Sequence, residues 1–204
     1  MTRIAKAAER PYRSQLRTEQ AEETRARILD ATLRVMARGI ATLSIPAVAS
    51  EAGVSVPTVY RHFGTKQDLL SAVYPHLARR AGLGQVAAPE SVEDFREMVL
   101  SVFSRLHSLG DEARVAMTSP ASEEARRTQM PERYAMSRRF AATVMPAASG
   151  VDRDRLARVL IILASSSAMQ LWLYHLGSSV EEAADDVDWL IRKVLAAPPG
   201  KATR

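Results

Sequence analysis

The sequence predicts an all-α protein, and three observations carry the prediction. Strand-type alternation is nearly absent, and apolar residues recur at the helical spacing through most of the chain. Ser or Thr stands at most expected helix starts, with Gly at several ends. With 204 residues and 47% apolar content the chain has room and material for one large packed domain or two small ones.

The elements follow in order. A first helix is expected over about residues 20–38, with Ile28, Thr32, Val35 and Met36 as its inner stripe and Gly39 as its left-handed cap. Ser44 caps a short second helix, about 45–52, whose Pro46 falls in the first turn, where a missing N–H costs nothing. Gly53 supplies a tight turn, and Ser55 caps a third helix, about 56–63, with Pro57 in its first turn. Thr65 with Asp68 resembles a capping box and opens a fourth helix bearing Leu69, Leu70, Val73, Tyr74 and Leu77. Residues 81–90, with Gly82, Gly84 and Pro89, read as a flexible break and the domain boundary.

Beyond the break, Ser91 and Asp94 cap a helix with the stripe Phe95, Met98, Val99, Val102, Phe103 and Leu106. Residues 110–132 are polar and contain Pro120 and Pro131, which predicts one short helix plus loops. A helix over about 132–147 follows, then a single apolar helix over 152–177 that stops at Gly177. Ser179 and Glu182 make a box for the last helix, about 180–196. The expected organisation is an N-terminal arm 1–19, a helical unit 20–80, a second unit 81–197 and a disordered tail 198–204.

The run Val159–Leu176 holds no Asp, Glu, Lys or Arg and touches the lower length limit for a membrane span. It also contains Ser165, Ser166, Ser167, Gln170 and His175, which are costly in hydrocarbon, and no second candidate span exists, so a buried or interfacial helix is expected and no membrane. There is no cysteine, which excludes disulfides, thiolate metal sites and cysteine nucleophiles and fits a reducing cytoplasm. The four histidines are scattered, and neither an HExxH helix nor a Walker-type loop is present, so no enzyme, metal or cofactor is expected.

Charge is uneven. Residues 1–80 carry thirteen Lys and Arg against seven Asp and Glu, while residues 81–204 carry fifteen against sixteen. One basic end on a near-neutral body fits a polyanion held at that end, or a solvated basic face. Arg3, Lys6, Arg10, Arg13 and Arg17 concentrate the charge ahead of the first expected helix, as a phosphate-tracking arm or a solvated tail.

Helix, glycine turn, short helix is the geometry that presents a second helix to a major groove. Val54 and Val59 should point to the core, leaving Val56, Thr58, Tyr60, Arg61 and His62 on the outer side. The combination Gly53-Val54-Ser55, Thr58, Tyr60, Phe63, Lys66 and Leu69 resembles the TetR family of bacterial repressors over about a quarter of the chain. The resemblance implies contacts to double-stranded operator DNA from Thr42, Ser44, Ser55, Val56, Thr58, Tyr60, Arg61, His62 and Lys66. Val56 either touches a thymine methyl or simply packs. Pro46 and Pro57 depart from the family pattern and remove possible donors.

The resemblance also implies a small-molecule sensor in the second unit, with an apolar or amphipathic inducer. Phe95, Met98, Phe103, His107, Met117, Tyr134, Phe140, Met169 and Trp172 are the residues that would line its cavity, or they are ordinary core. It further implies a homodimer through the last two helices, about 152–177 and 180–196. The expected function is a ligand-responsive repressor; the alternative is a ligand-independent or activating DNA-binding protein.

Overall fold

A computed structural model describes residues 9–38, 43–118 and 120–197, and among them every regular element is helical. The chain divides into two compact units, Met1–His76 and Leu77–Arg204, and passes from one to the other within α4.

In the first unit α1 spans Glu9–Ala37, α2 Ile45–Ala52, α3 Val56–Phe63 and α4 begins at Lys66 and runs to Arg80. α2 and α3 have the limits that their serine caps predict. α1 does not: it starts well before residue 20, so Arg10, Arg13 and Arg17 belong to a helix and not to an arm that precedes it. Residues 15–23 are exposed on every side, so no apolar stripe marks them; strong helix formers such as Glu, Arg, Gln and Ala extend the helix by propensity. Arg3, Lys6 and the Gly39 cap lie outside the described residues. Ile28, Leu29, Leu33 and Met36 of α1, Val48 of α2, Val59 and Phe63 of α3, and Leu69 and Val73 of α4 are almost completely buried. Thr32, also buried, donates its hydroxyl to the Ile28 carbonyl at 2.8 Å and so carries no unmet polar cost.

The second unit opens with a single 3-10 turn at Leu83–Gln85 and contains α5 (Val92–His107), α6 (Gly110–Thr118), α7 (Pro120–Val144), α8 (Gly150–Leu163), α9 (Ser166–Gln170) and α10 (Val180–Ala196). Residues 81–90 are tied back: the Arg105 guanidinium donates to the Gly82 carbonyl at 3.0 Å. α10 packs on α5 and α8 on α7. Capping boxes at Ser91/Asp94 and Ser179/Glu182 start α5 and α10 where the sequence places them.

Two expectations fail here. The long helix starts at Pro120, not near 132, and continues through Pro131. Pro131 is exposed, so its ring and missing N–H disturb no packed core and the interruption is tolerated. The expected single helix 152–177 is broken instead. α8 ends at Leu163, Ser165 adopts an extended conformation and caps α9, its hydroxyl accepting from the Ala168 N–H at 3.0 Å, and the axis turns by 49°. A serine inside an apolar run competes for the backbone as an N-cap does. A π-helical segment, Leu171–His175, then leads to Gly177 at φ 72°. No single helix among the described residues is long and apolar enough to cross a membrane.

Candidate nucleic-acid interface

Local signals set the limits of the outward-facing helix in the first unit. The Ser44 hydroxyl accepts from the Ala47 N–H at 3.2 Å and sets the start of α2. Gly53, at φ 63° and ψ 38°, closes α2 in the left-handed conformation that a side chain resists, and the Val54 N–H returns to the Ala49 carbonyl at 3.0 Å. Ser55 caps α3 through the Thr58 N–H at 3.3 Å, and the Ser55 and Thr58 hydroxyls share a hydrogen bond of 2.8 Å. One hydroxyl hydrogen of that pair is used internally, and the other is free to point outward.

Val59 and Phe63 bury one face of α3, a contribution of roughly 1.5–3 kcal/mol each. The opposite face carries Ser55, Pro57, Tyr60 and Arg61 exposed, with Val56, Thr58 and His62 half-buried. Tyr60 is 47% exposed. Neither its hydroxyl nor the Arg61 guanidinium has a partner among the described residues. An aromatic hydroxyl and a fixed cation on one short helix can both donate, to phosphate oxygens or to base edges.

Gly64 ends α3 at φ 66° and gives its N–H to the Tyr60 carbonyl at 2.7 Å. Thr65 and Asp68 form the expected reciprocal contacts, with Asp68 Oδ2 accepting from the Thr65 hydroxyl at 2.7 Å and from its N–H at 3.1 Å. This fixes Lys66 at the head of α4. Its ammonium donates to the Leu43 carbonyl at 2.8 Å, beside Ser44 and the N-terminus of α2. A cation, a capping hydroxyl and a helix N-terminus there form an anion-friendly group of three. Of the DNA-contact set, only Thr42 lies outside the described residues.

Three supports were not legible as site residues in the sequence. Arg25 of α1 donates to the His62 carbonyl at 2.9 Å and lies over the Phe63 ring at 4.2 Å, pinning the end of α3. Arg34 and Arg38 of α1 converge on Glu51 of α2, the former at 2.7 Å, and their hydrogen bonds, Arg34's foremost, hold its carboxyl below the usual range. Burial, with Arg61 and Arg25 adding repulsion, lowers the His62 imidazole, so it favours the neutral form.

In the second unit Phe95, Phe103, Phe140, Met117 and Met169 are buried, Met98, Tyr134 and Trp172 half-buried, and His107 exposed. Phe95 and Phe140 pack with centroids 4.8 Å apart and their rings tilted by 40°, as core aromatics do. A cavity of about 830 Å³ lies elsewhere, between the end of α7, α8 and the last turns of α10, and none of those nine residues lines it. His107 lines a smaller one of about 370 Å³ near the start of α10. Among the described residues no group of acidic and histidine side chains is placed to hold a metal.

Residues 28–73 match the family described as bacterial regulatory proteins, tetR family. The chain is 33% identical over 96 residues to the HTH-type transcriptional regulator TtgR of Pseudomonas putida, covering 43% of this chain and 45% of that protein. It is 42% identical over 71 residues to the HTH-type transcriptional repressor KstR of Mycolicibacterium smegmatis, covering 34% and 33%. The chain thus spans less than half the length of these curated relatives. A TetR-like regulator structure from Rhodococcus sp. RHA1 superposes with a TM-score of 0.63 at 19% identity, over 84% of this chain and 95% of that one, and shows the shared fold. Within its first unit, the chain carries a segment that matches the tetR family of bacterial regulatory proteins.

Proposed function

We propose that this chain is a DNA-binding transcriptional repressor of the cytoplasm that holds its operator as a homodimer and releases it when a small molecule binds the second unit. The observation that carries the reading is α3. Its buried face is fixed by Val59 and Phe63, while Tyr60 and Arg61 stand outward with donors unspent among the described residues. In the proposed complex these two, with Thr58 and Val56, read base edges, while Ser44, Ser55, His62 and Lys66 hold phosphates. Basic residues concentrated at this end supply the sequence-independent part of the affinity.

Self-association is supported by the outer faces of α8 and α10. Val151, Val159 and Ile162 on α8 and Trp189 and Val194 on α10 are exposed, more apolar surface than a water-facing pair of helices carries. Two copies would bring two α3 helices to one operator, whose half-sites lie about one DNA turn apart. The inducer is proposed to be apolar or amphipathic and to enter among the aromatic and Met side chains of the second unit, with Met98, Tyr134 and Trp172 as accessible members of the set. Release requires unequal affinity for the two states, and roughly 1–3 kcal/mol of coupling gives about 5–150-fold.

The test is selection of duplexes from genomic DNA, followed by titration at several salt concentrations. Sequence-selective binding with a steep salt slope supports the proposal; failure to select any duplex overturns it. A screen for compounds that raise the melting temperature separates the repressor from a ligand-independent or activating protein. Ligands that stabilise the chain without weakening operator binding would favour that alternative.

A further inference from the structure

A cavity of about 370 Å³ lies within the second unit, where the end of α5 meets the start of α10. α5 gives it Ser104, His107 and Ser108, while the first residues of α10 and the turn before it give Ser178, Ser179 and Glu181. Leu173 and Val180 supply the apolar part of its lining. Leu173 belongs to the π-helical segment, in which the Leu176 N–H reaches back five residues to the Leu171 carbonyl at 2.9 Å. π-helical turns are rare and frequently stand at functional sites. Here the turn carries Leu173 to the cavity and Tyr174 to His107, whose Nδ1 lies 3.4 Å from the Tyr174 hydroxyl.

The lining selects a chemistry. Its four serine hydroxyls can each donate and accept. Those of Ser104 and Ser178 have no partner among the described residues, and Ser179 spends only an acceptor site, on the Glu182 N–H at 3.0 Å. With the Tyr174 hydroxyl donating to Nδ1, the ring proton of His107 stands on Nε2 and is available as a donor. Glu181 is exposed, has no ion pair among the described residues and, ionised, only accepts. An anionic ligand is disfavoured by Glu181 and Glu182 in the first turn of α10, and a cation by the N–H end of the same helix. Among the described residues no group of acidic and histidine side chains is placed to hold a metal. A carboxylate acceptor among hydroxyls that serve either way matches a neutral ligand rich in hydroxyl groups.

We propose that this cavity binds a small uncharged polyhydroxylated molecule, the size of a monosaccharide or a hexitol. Its volume is at the low end of the range for small-molecule sites, about 300–1,000 Å³, and suits one such molecule. In the complex Glu181 accepts from neighbouring ligand hydroxyls, His107 and Ser178 donate, and Leu173 with Val180 packs on the ligand's C–H surface. This site is separate from that of the apolar inducer proposed above, and it requires neither an operator nor a second copy.

The test titrates the full chain with mannitol, glucose and myo-inositol, and with gluconate and glucosamine as charged counterparts. Calorimetry reads the affinity, and the imidazole proton resonances of the four histidines read the place, with His107→Gln identifying the His107 signal. At least one neutral compound should saturate at about millimolar concentration or below and move the His107 signal, with His62 and His76 unmoved. Its charged counterparts should bind at least about tenfold more weakly. Ser178→Ala and Glu181→Gln should each weaken binding about fivefold with helical content intact, since each removes one hydrogen-bonding group. Ser179 is left in place because it caps α10. No saturation by any of the three neutral compounds at about 100 mM overturns the proposal. So does saturable binding that survives Ser178→Ala combined with Glu181→Gln, because the ligand then sits elsewhere. Gluconate or glucosamine binding more tightly than the neutral compounds overturns the assigned class. A melting temperature that only climbs in proportion to the polyol, equally in the double variant, is exclusion of cosolute from the surface and also overturns it.

Discussion

Arg25→Ala is the sharpest probe of how the first unit holds α3 in place. The guanidinium makes two contacts that end together, a 2.9 Å hydrogen bond to the His62 carbonyl and a stack over Phe63 at 4.2 Å. A hydrogen bond from a charged donor contributes about 1.5–3 kcal/mol, and a partly solvated cation–π contact about 0.5–1 kcal/mol. Arg25 is half-buried, and water can reach the freed His62 carbonyl, so the low end applies and the loss should be about 2 kcal/mol. That is roughly a 30-fold change in the folding equilibrium and, for a unit of this size, a fall in melting temperature of about 10 °C. Calorimetry with urea unfolding measures it, and an operator titration beside it reads whether a loosened α3 also costs affinity. Arg25→Lys should recover part of the loss, since an ammonium can reach the carbonyl but cannot lie flat on the ring. The coupling between Arg25→Ala and Phe63→Leu isolates the stack. A stability change below about 0.5 kcal/mol, with operator affinity unchanged, would refute the argument.

Lys66→Ala should lower the salt slope of operator binding by about one and weaken all sequences alike, whereas Arg61→Ala should relax discrimination at one operator position; titrations across salt and across operator variants read both. His62 gives a pH signature. Its lowered pKa means the unfolded chain binds more protons in the window just below the ordinary imidazole value, so its contribution is complete above that value and is lost on acidification. His62→Gln should flatten that part of the stability profile. A phosphate beside the ring would favour the charged form, so operator binding should take up a proton, measurable by titration calorimetry in buffers of different ionisation heat. Ser179→Ala removes the hydroxyl that caps α10 and should cost about 1 kcal/mol in urea unfolding, with Ser179→Gly costing less.

What could be read from the sequence was what is decided within three or four residues. Ser44, Ser55, Ser91 and Ser179 cap through N–H groups three positions on, so α2, α3, α5 and α10 start where the sequence places them. The side chains of the proposed DNA-contact face were legible for the same reason, since α3 is short, capped and one-sided. Apolar periodicity was blind to both ends of the helical scale: it missed the part of α1 ahead of residue 20, where residues 15–19 are exposed, and in the uniformly apolar stretch before Gly177 it could not see Ser165 end one helix and begin another. Pro131 reads as a helix stop in any local window, and only its exposed place on α7 makes it tolerable. The supports of α3 and α4 depend on partners far along the chain: Arg25 reaches His62 across 37 positions, and Lys66 reaches Leu43 across 23. The pairs that join α5 to α10, Arg96 to Asp185 and Glu93 to Arg192, span 89 and 99 positions. Such contacts leave no periodic or spacing signal, because the fold alone brings their atoms within hydrogen-bond reach.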